Sequence, residues 1–212
     1  ITRRFRMLAG SVPVDPRVSA RPFAFAADPR GELGLDYREV AVSAPLGDCP
    51  AWQLDSNDSL LAIGVASGAV SARDAIGTPS WLIYVHGRGA NRAQSLGVVP
   101  LFLRMGWTVL AISYRGDPGT PGNRPPGYRL GATEWRDLEA AVRYALEHGA
   151  QRVAIFGMSM GGTITLEFLR HSPLAPRGAG VVLESPVLRW RPVFDLAARE
   201  RGVPSAITLI GM

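Results

Sequence analysis

The chain has 212 residues, 47% hydrophobic and 19% charged, with a formal net charge of +5. These values are those of a soluble globular protein, and the length suits one domain with a sizeable core rather than two. All 23 basic side chains are arginines, scattered rather than blocked. A nucleic-acid footprint needs basic residues gathered on one face, so no nucleic-acid partner is expected. Only "RRFR", Arg3 to Arg6, is a local cluster; it is too short for a binding patch, but it suits the flank of a membrane anchor. Cys49 is the only cysteine, so no internal disulfide can form, and its place beside Pro50 reads as a structural or surface thiol. The longest apolar stretch, Leu60 to Val70, falls far short of the roughly 20 residues of a membrane span.

Residues 1–36 carry Pro, Arg and Gly without a steady period and read as an irregular lead-in. "YREVAVS" (Tyr37 to Ser43) alternates as a strand does, and "AWQL" (Ala51 to Leu54) is its partner across a "PLGDCP" turn. Residues 55–79 read as a short helix or an insertion. From Trp81 the pattern becomes regular. "WLIYV" is an apolar run of the kind buried on both faces of a sheet. It is followed by the turn "HGRGAN", a helical stretch through "RAQSLGVVPLFLRMG" and a second buried strand, "WTVLAIS". A long Gly/Pro loop leads into the helix "EWRDLEAAVRYALEHG", for which Thr133 is the expected N-cap, Glu134 a first-turn acid and Gly149 the residue past the end. "RVAIF", the helix "SMGGTITLEFLRHS", the strand "GAGVVLE" and a helix near "PVFDLAARERG" complete the series before an apolar tail. Strands alternating with helices predict an α/β fold: a mostly parallel sheet with helices on both faces.

"IFGMSMGG" (Ile155 to Gly162) contains G-x-S-x-G where a buried strand hands over to a helix. Composition alone would produce that pattern in about one such chain in six, so its context carries the weight. A nucleophile elbow requires this strand–turn–helix setting, with Gly157 and Gly161 bare to avoid clashes and Ser159 exposed at the helix N-terminus. Acyl transfer also needs two backbone N–H donors for the developing oxyanion. Met160, next after the serine, supplies one, and Arg88 in "HGRGAN" is the candidate for the other. His86 fits a loop-anchoring role better than that of a base. Asp137 and Glu134 read as helix charges pairing with nearby arginines.

"YVHGRGAN", "AISYRGDPGTP", "LGATEWRDLEAAVRYAL" and "VAIFGMSMGG", in this order and at these spacings, resemble the α/β-hydrolase superfamily. Within it they are similar to the serine aminopeptidase-like and lipase-like branch and to membrane-associated hydrolases with a "YRG" segment after the fourth strand. The resemblance covers about residues 37–190. It implies an α/β-hydrolase core over residues 37–189, with strands one to six. It further implies a Ser159 nucleophile, oxyanion donors at Met160 and Arg88, and a cap or inter-strand helical segment beginning at residues 190–212. In this family the triad runs Ser, then Asp or Glu, then His, with the last two following the seventh and eighth strands. "GAGVVLE" counts as the sixth, so the last two strands are expected to be missing.

The histidines are His86, His148 and His171. His171 closes the helix that begins at Ser159, about 15 Å from its hydroxyl by helical rise, and His148 is another helix-end residue. No base is assigned, and Glu184, ending the sixth strand, is the one candidate acid. Two explanations stand: a segment of a longer hydrolase, cut at both ends, or a degenerate relative that binds without catalysis. The segment is favoured by the start at Ile1, the abrupt "TLIGM" end and the apolar edge that two lost strands would expose. The leading expectation is a serine hydrolase acting on a small-molecule carboxylic ester, thioester or amide, with no metal or organic cofactor. The alternative is a non-catalytic binding or scaffold protein, and a third is acyl transfer or haloperoxidase-type chemistry on the same fold. Membrane association would come through a segment ahead of residue 1. Substrate preference, localisation and oligomeric state leave no mark in the sequence.

Overall fold

The computed structural model describes residues 28–68, 78–122 and 127–202. The greater part of the lead-in with its "RRFR" cluster, the end of the apolar run, the centre of the Gly/Pro loop and the apolar tail lie outside the described residues. Six strands form one sheet: β1 (Arg38–Ala44), β2 (Gly47–Leu54), β3 (Ser80–Val85), β4 (Thr108–Ile112), β5 (Arg152–Met158) and β6 (Gly178–Glu184), in the order β1-β2-β4-β3-β5-β6. β2 runs antiparallel to both its neighbours, and β4, β3, β5 and β6 are parallel. The expected mostly parallel α/β sheet is present, with "YREV" in its first strand and "GAGVVLE" its sixth.

Alternation along the central strands builds two cores from one sheet, because successive side chains point to opposite faces. Trp81, Ile83 and Val85 of β3 join Leu110, Ile112, Val153 and Ile155 on one face. There they meet α4 (Trp135–Glu147) and α5 (Met160–His171) through Leu138, Ala141, Ile164 and Phe168. Leu82 and Tyr84 join Val109, Ala111, Ala154 and Phe156 on the other. That face is covered by a 3₁₀ turn (Arg92–Gly97) and α3 (Val99–Arg104), which contribute Leu96, Val99 and Leu103. The remaining helices are α1 (Pro29–Leu33), α2 (Asp58–Ala66) within the stretch read as helix or insertion, and α6 (Trp190–Glu200).

Three local expectations are corrected. The "PLGDCP" turn shrinks to Pro45 and Leu46, and Cys49 and Pro50 pair in the ladder opposite Val42 and Ala41. The helix expected over "RAQSLGVVPLFLRMG" is two pieces, because Pro100 has no N–H to donate and is tolerated only in a first turn, where α3 begins anew. Thr133 does not cap α4, and Glu134 stands just before the helix while Asp137 is the acid of its first turn. The Glu134 side chain is fully buried and folds back over the preceding loop, accepting backbone N–H bonds from Arg129, Gly131 and Thr133. Gly149 does stand just past the helix, with φ at 92°.

Asp137 pairs with an arginine, but one from another element. Arg115, in the loop after β4, donates from Nε to Oδ2 at 2.8 Å and from Nη2 to Oδ1 at 2.6 Å, and its backbone N–H adds a third bond at 2.8 Å. This fork ties the loop to α4. Removing one partner strands the other charge in a largely dry site. Asp137→Ala is therefore expected to cost about 3 kcal/mol in urea unfolding, far more than loss of an exposed ion pair such as Arg30–Asp36. Burial pushes the Cys49 thiol up to about 12. A thiol-reactive disulfide reagent at pH 8 is therefore expected to label none of the native protein and one site per chain in denaturant.

Candidate active site

Ser159 occupies the turn between β5 and α5 with φ 53° and ψ −113°. A side chain in that region is strained, by about 1–3 kcal/mol, and persists only where its surroundings impose it. The surroundings do so from both sides. Ser159 N–H donates to the Glu184 carbonyl at the end of β6 at 2.9 Å. Its own carbonyl accepts from Gly162 at 3.0 Å and from Val187, beyond β6, at 3.2 Å.

The flanking glycines are sterically required. A Cβ on Gly161 would stand 2.0 Å from the Val85 carbonyl oxygen, and one on Gly157 would stand 2.7 Å from the Gly161 oxygen. Gly162 lies under Pro186, 2.7 Å from where its Cβ would be. That glycine accommodates the loop after β6. The Ser159 hydroxyl makes no capping bond to α5 and remains half-buried at the helix's positive end. Met160 is the first residue of α5, so its N–H is one of the donors a helix cannot satisfy internally.

The loop after β3 runs directly against the serine. A Cβ on Gly87 would come within 3.1 Å of Ser159 Cβ. Gly87's own N–H is taken by Gln94 Oε1 at 2.8 Å, and its carbonyl accepts from Ala90 at 3.1 Å. Arg88 supplies the next amide in line, and its residue is exposed at the turn. His86, with a side chain wholly out of solvent, anchors this loop. Its Nε2 donates to Asp117 Oδ2 at 2.8 Å, its Nδ1 lies 2.9 Å from the Gly87 carbonyl, and Tyr114 stacks on its ring at 4.3 Å. Sequence reasoning had read the loop of Asp117 only as Gly- and Pro-rich. A lone acid among such residues gave no hint that it would reach back to β3.

The other two histidines lie elsewhere. His148 bonds the Tyr144 carbonyl and stacks on that ring at 3.9 Å; His171 pairs with Glu167 at 3.0 Å and stacks on Trp135. Both end helices whose opposite ends face the site, and α5 alone puts about 18 Å between Ser159 and His171. Glu184 meets the serine through its backbone, while its residue is exposed and none of the three histidines is bonded to it. The described residues thus bring together Ser159, Met160 and the loop of Gly87, and no imidazole among them is hydrogen-bonded to the Ser159 hydroxyl.

The serine aminopeptidase S33 family model matches residues 79–207. No curated protein sequence matches the chain. Among solved structures it is similar to an esterase from Pyrococcus furiosus at 18% identity, covering 88% of this chain and 64% of that one with a TM-score of 0.62. It also resembles a carboxyl esterase from Bacillus coagulans (18% identity, 78% and 51% covered, TM-score 0.53). A third likeness is an acylaminoacyl peptidase from Pyrococcus horikoshii (17% identity, 80% and 27% covered, TM-score 0.53). These likenesses establish the α/β-hydrolase fold. The chain spans 58–64% of the length of the P. furiosus esterase in its two crystal forms.

Two substitutions test the turn itself. Ser159→Gly is expected to raise unfolding stability by about 1 kcal/mol as the positive φ is relieved, with Ser159→Ala giving no such gain. Gly161→Ala should lose about 3 kcal/mol or more, because the atom it meets is backbone; both are read from denaturant midpoints.

Proposed function

From a chain that belongs to the serine aminopeptidase S33 family, we propose a serine hydrolase that cleaves a carboxylic ester, thioester or amide through an acyl-enzyme on Ser159. The single observation carrying this reading is the strained φ of Ser159 at a glycine-flanked turn, held from both sides and with its hydroxyl left uncommitted. A merely structural turn would place glycine at such a φ. In this reading the turn is a nucleophile elbow.

Ser159 Oγ attacks the substrate carbonyl carbon while a base removes its proton, and the carbonyl oxygen becomes an oxyanion. The N–H groups of Met160 and Arg88 form the oxyanion hole, aided by the positive end of α5. Collapse of the tetrahedral intermediate expels the alcohol, thiol or amine, which takes up the proton, and leaves the acyl group on Ser159. Water then attacks that acyl-enzyme and releases the acid, restoring the hydroxyl.

The base and the acid that orients it come, in this reading, from residues beyond those described. β6 is the edge of the sheet and leaves Val181 and Val182 uncovered at 37% and 44% exposure. Such an edge pairs readily with another strand, and further strands of the same protein laid there would reach the Ser159 side of the sheet. Glu184, at that edge, is the alternative acid within the chain. α6 begins a cap over the site, which would set substrate choice. The present chain by itself is inactive in this account.

That none of the three histidines is hydrogen-bonded to the Ser159 hydroxyl is the observation that favours the second reading, a binding or scaffold protein that keeps the turn as architecture. A fluorophosphonate probe separates the two. The full-length gene product is expected to be labelled, with labelling abolished in Ser159→Ala, while residues 1–212 alone react at least about 1,000-fold more slowly for want of a base. A folded full-length protein that takes up no probe would point to the scaffold.

A further inference from the structure

The expected oxyanion donor, Arg88, lies in an exposed turn of a glycine-rich loop, and an N–H there can help the reaction only if it is held still. A displacement of about 1 Å removes most of the benefit of a positioned group. What holds it is one buried carboxylate. Asp117, in the loop after β4, is 2% exposed. Its Oδ2 accepts from His86 Nε2 at 2.8 Å and from the Tyr114 backbone N–H at 2.9 Å, and its Oδ1 accepts the Tyr128 hydroxyl at 2.8 Å.

Two arms leave this carboxylate and end on either side of Arg88. One runs through His86, whose Nδ1 lies 2.9 Å from the Gly87 carbonyl. The other runs through Tyr128, whose hydroxyl lies against the backbone N–H of Gly89. Each arm is braced: the Tyr114 hydroxyl donates to the His86 carbonyl at 2.9 Å, and the Tyr128 ring sits against Gly116, where any side chain would collide with it at 2.6 Å. Burial, and then the Asp117 charge, pushes the Tyr128 hydroxyl above its ordinary range, which keeps it a donor to that carboxylate.

We propose that Asp117 is the positioning residue of the oxyanion loop, gripping Arg88 from both sides through His86 and Tyr128 so that its N–H is held beside Ser159. The proposal rests on the reading of Ser159 as nucleophile. It requires a carboxylate: an amide of the same size turns one of the acceptors into a donor, so it cannot receive His86, Tyr114 and Tyr128 together.

The test uses the full-length gene product, a chromogenic short-chain ester, and hydrogen exchange of the segment 86–91. Asp117→Asn is expected to lower kcat by about 10- to 100-fold with KM within about 3-fold, since a mispositioned oxyanion donor costs the transition state rather than ground-state binding. Exchange of the 87–90 amides should rise about 10-fold in the same variant as the loop opens locally. Tyr128→Phe cuts one arm only and should move both readouts the same way by a smaller factor; it carries the test if Asp117→Asn does not fold. Glu139→Gln is the control, a half-buried carboxylate of α4 bonded to Ser172 and Arg143, whose loss should lower Tm and leave kcat within about 2-fold. Equal losses of kcat in the Asp117 and Glu139 variants, or an Asp117 variant with unchanged exchange and kcat, would overturn the proposal. If Ser159→Ala hydrolyses the ester at the wild-type rate, the nucleophile reading falls, and exchange alone decides whether Asp117 holds the loop.

Discussion

A Cβ on Gly161 would stand 2.0 Å from the carbonyl oxygen of Val85, so the first turn of α5 rests on the end of β3 only because that residue has no side chain. The contact sets the arrangement around it. With α5 this close to the sheet, the chain leaving β5 must reverse within one residue, and that residue is Ser159 at φ 53°. The same approach brings the loop after β3 alongside, so that a Cβ on Gly87 would crowd Ser159 Cβ at 3.1 Å. One close contact therefore brings the serine, the first turn of α5 and the loop after β3 together at the end of the sheet.

The loops around this point are held mostly by carboxylates. Asp117, Glu134 and Asp137 are all buried, and each gathers donors from a stretch too poor in apolar residues to pack itself. Glu134 collects the backbone of 129–133, Asp137 takes the fork of Arg115, and Asp117 joins β3, the loop after β4 and Tyr128. Burying a charge is unfavourable unless its hydrogen bonds are met, and in exchange the geometry becomes specific. Gly- and Pro-rich segments can take a fixed course around Ser159 on those terms. The rigid apolar sheet beneath them supplies the stability.

Much of this was legible in the residues. "WLIYV", "WTVLAIS" and "RVAIF" are apolar throughout, and continuous runs of that length belong in strands buried on both faces. The G-x-S-x-G turn could be placed because its meaning is local: strand, glycine, serine, glycine and helix follow one another within the stretch. Gly149 beyond α4 followed from the capping preference of glycine, and the separation of His171 from Ser159 followed from helical rise. The misreadings share one cause. Thr133 carries a good capping side chain, but Glu134 reached farther and took the loop, and Asp117 gave no sign of its partners because His86 is 31 positions away in the chain.

By itself the sequence determined the alternation of strands and helices, the two-faced core and the position of the serine turn, since each depends on neighbours within a few residues. Only the tertiary structure decided that the loop after β3 lies against Ser159, which buried carboxylates hold the loops around it, and that no imidazole of the described residues is bonded to the hydroxyl. Those are matters of distance between segments far apart in the chain, where a side chain's partner is chosen by the packing of the sheet.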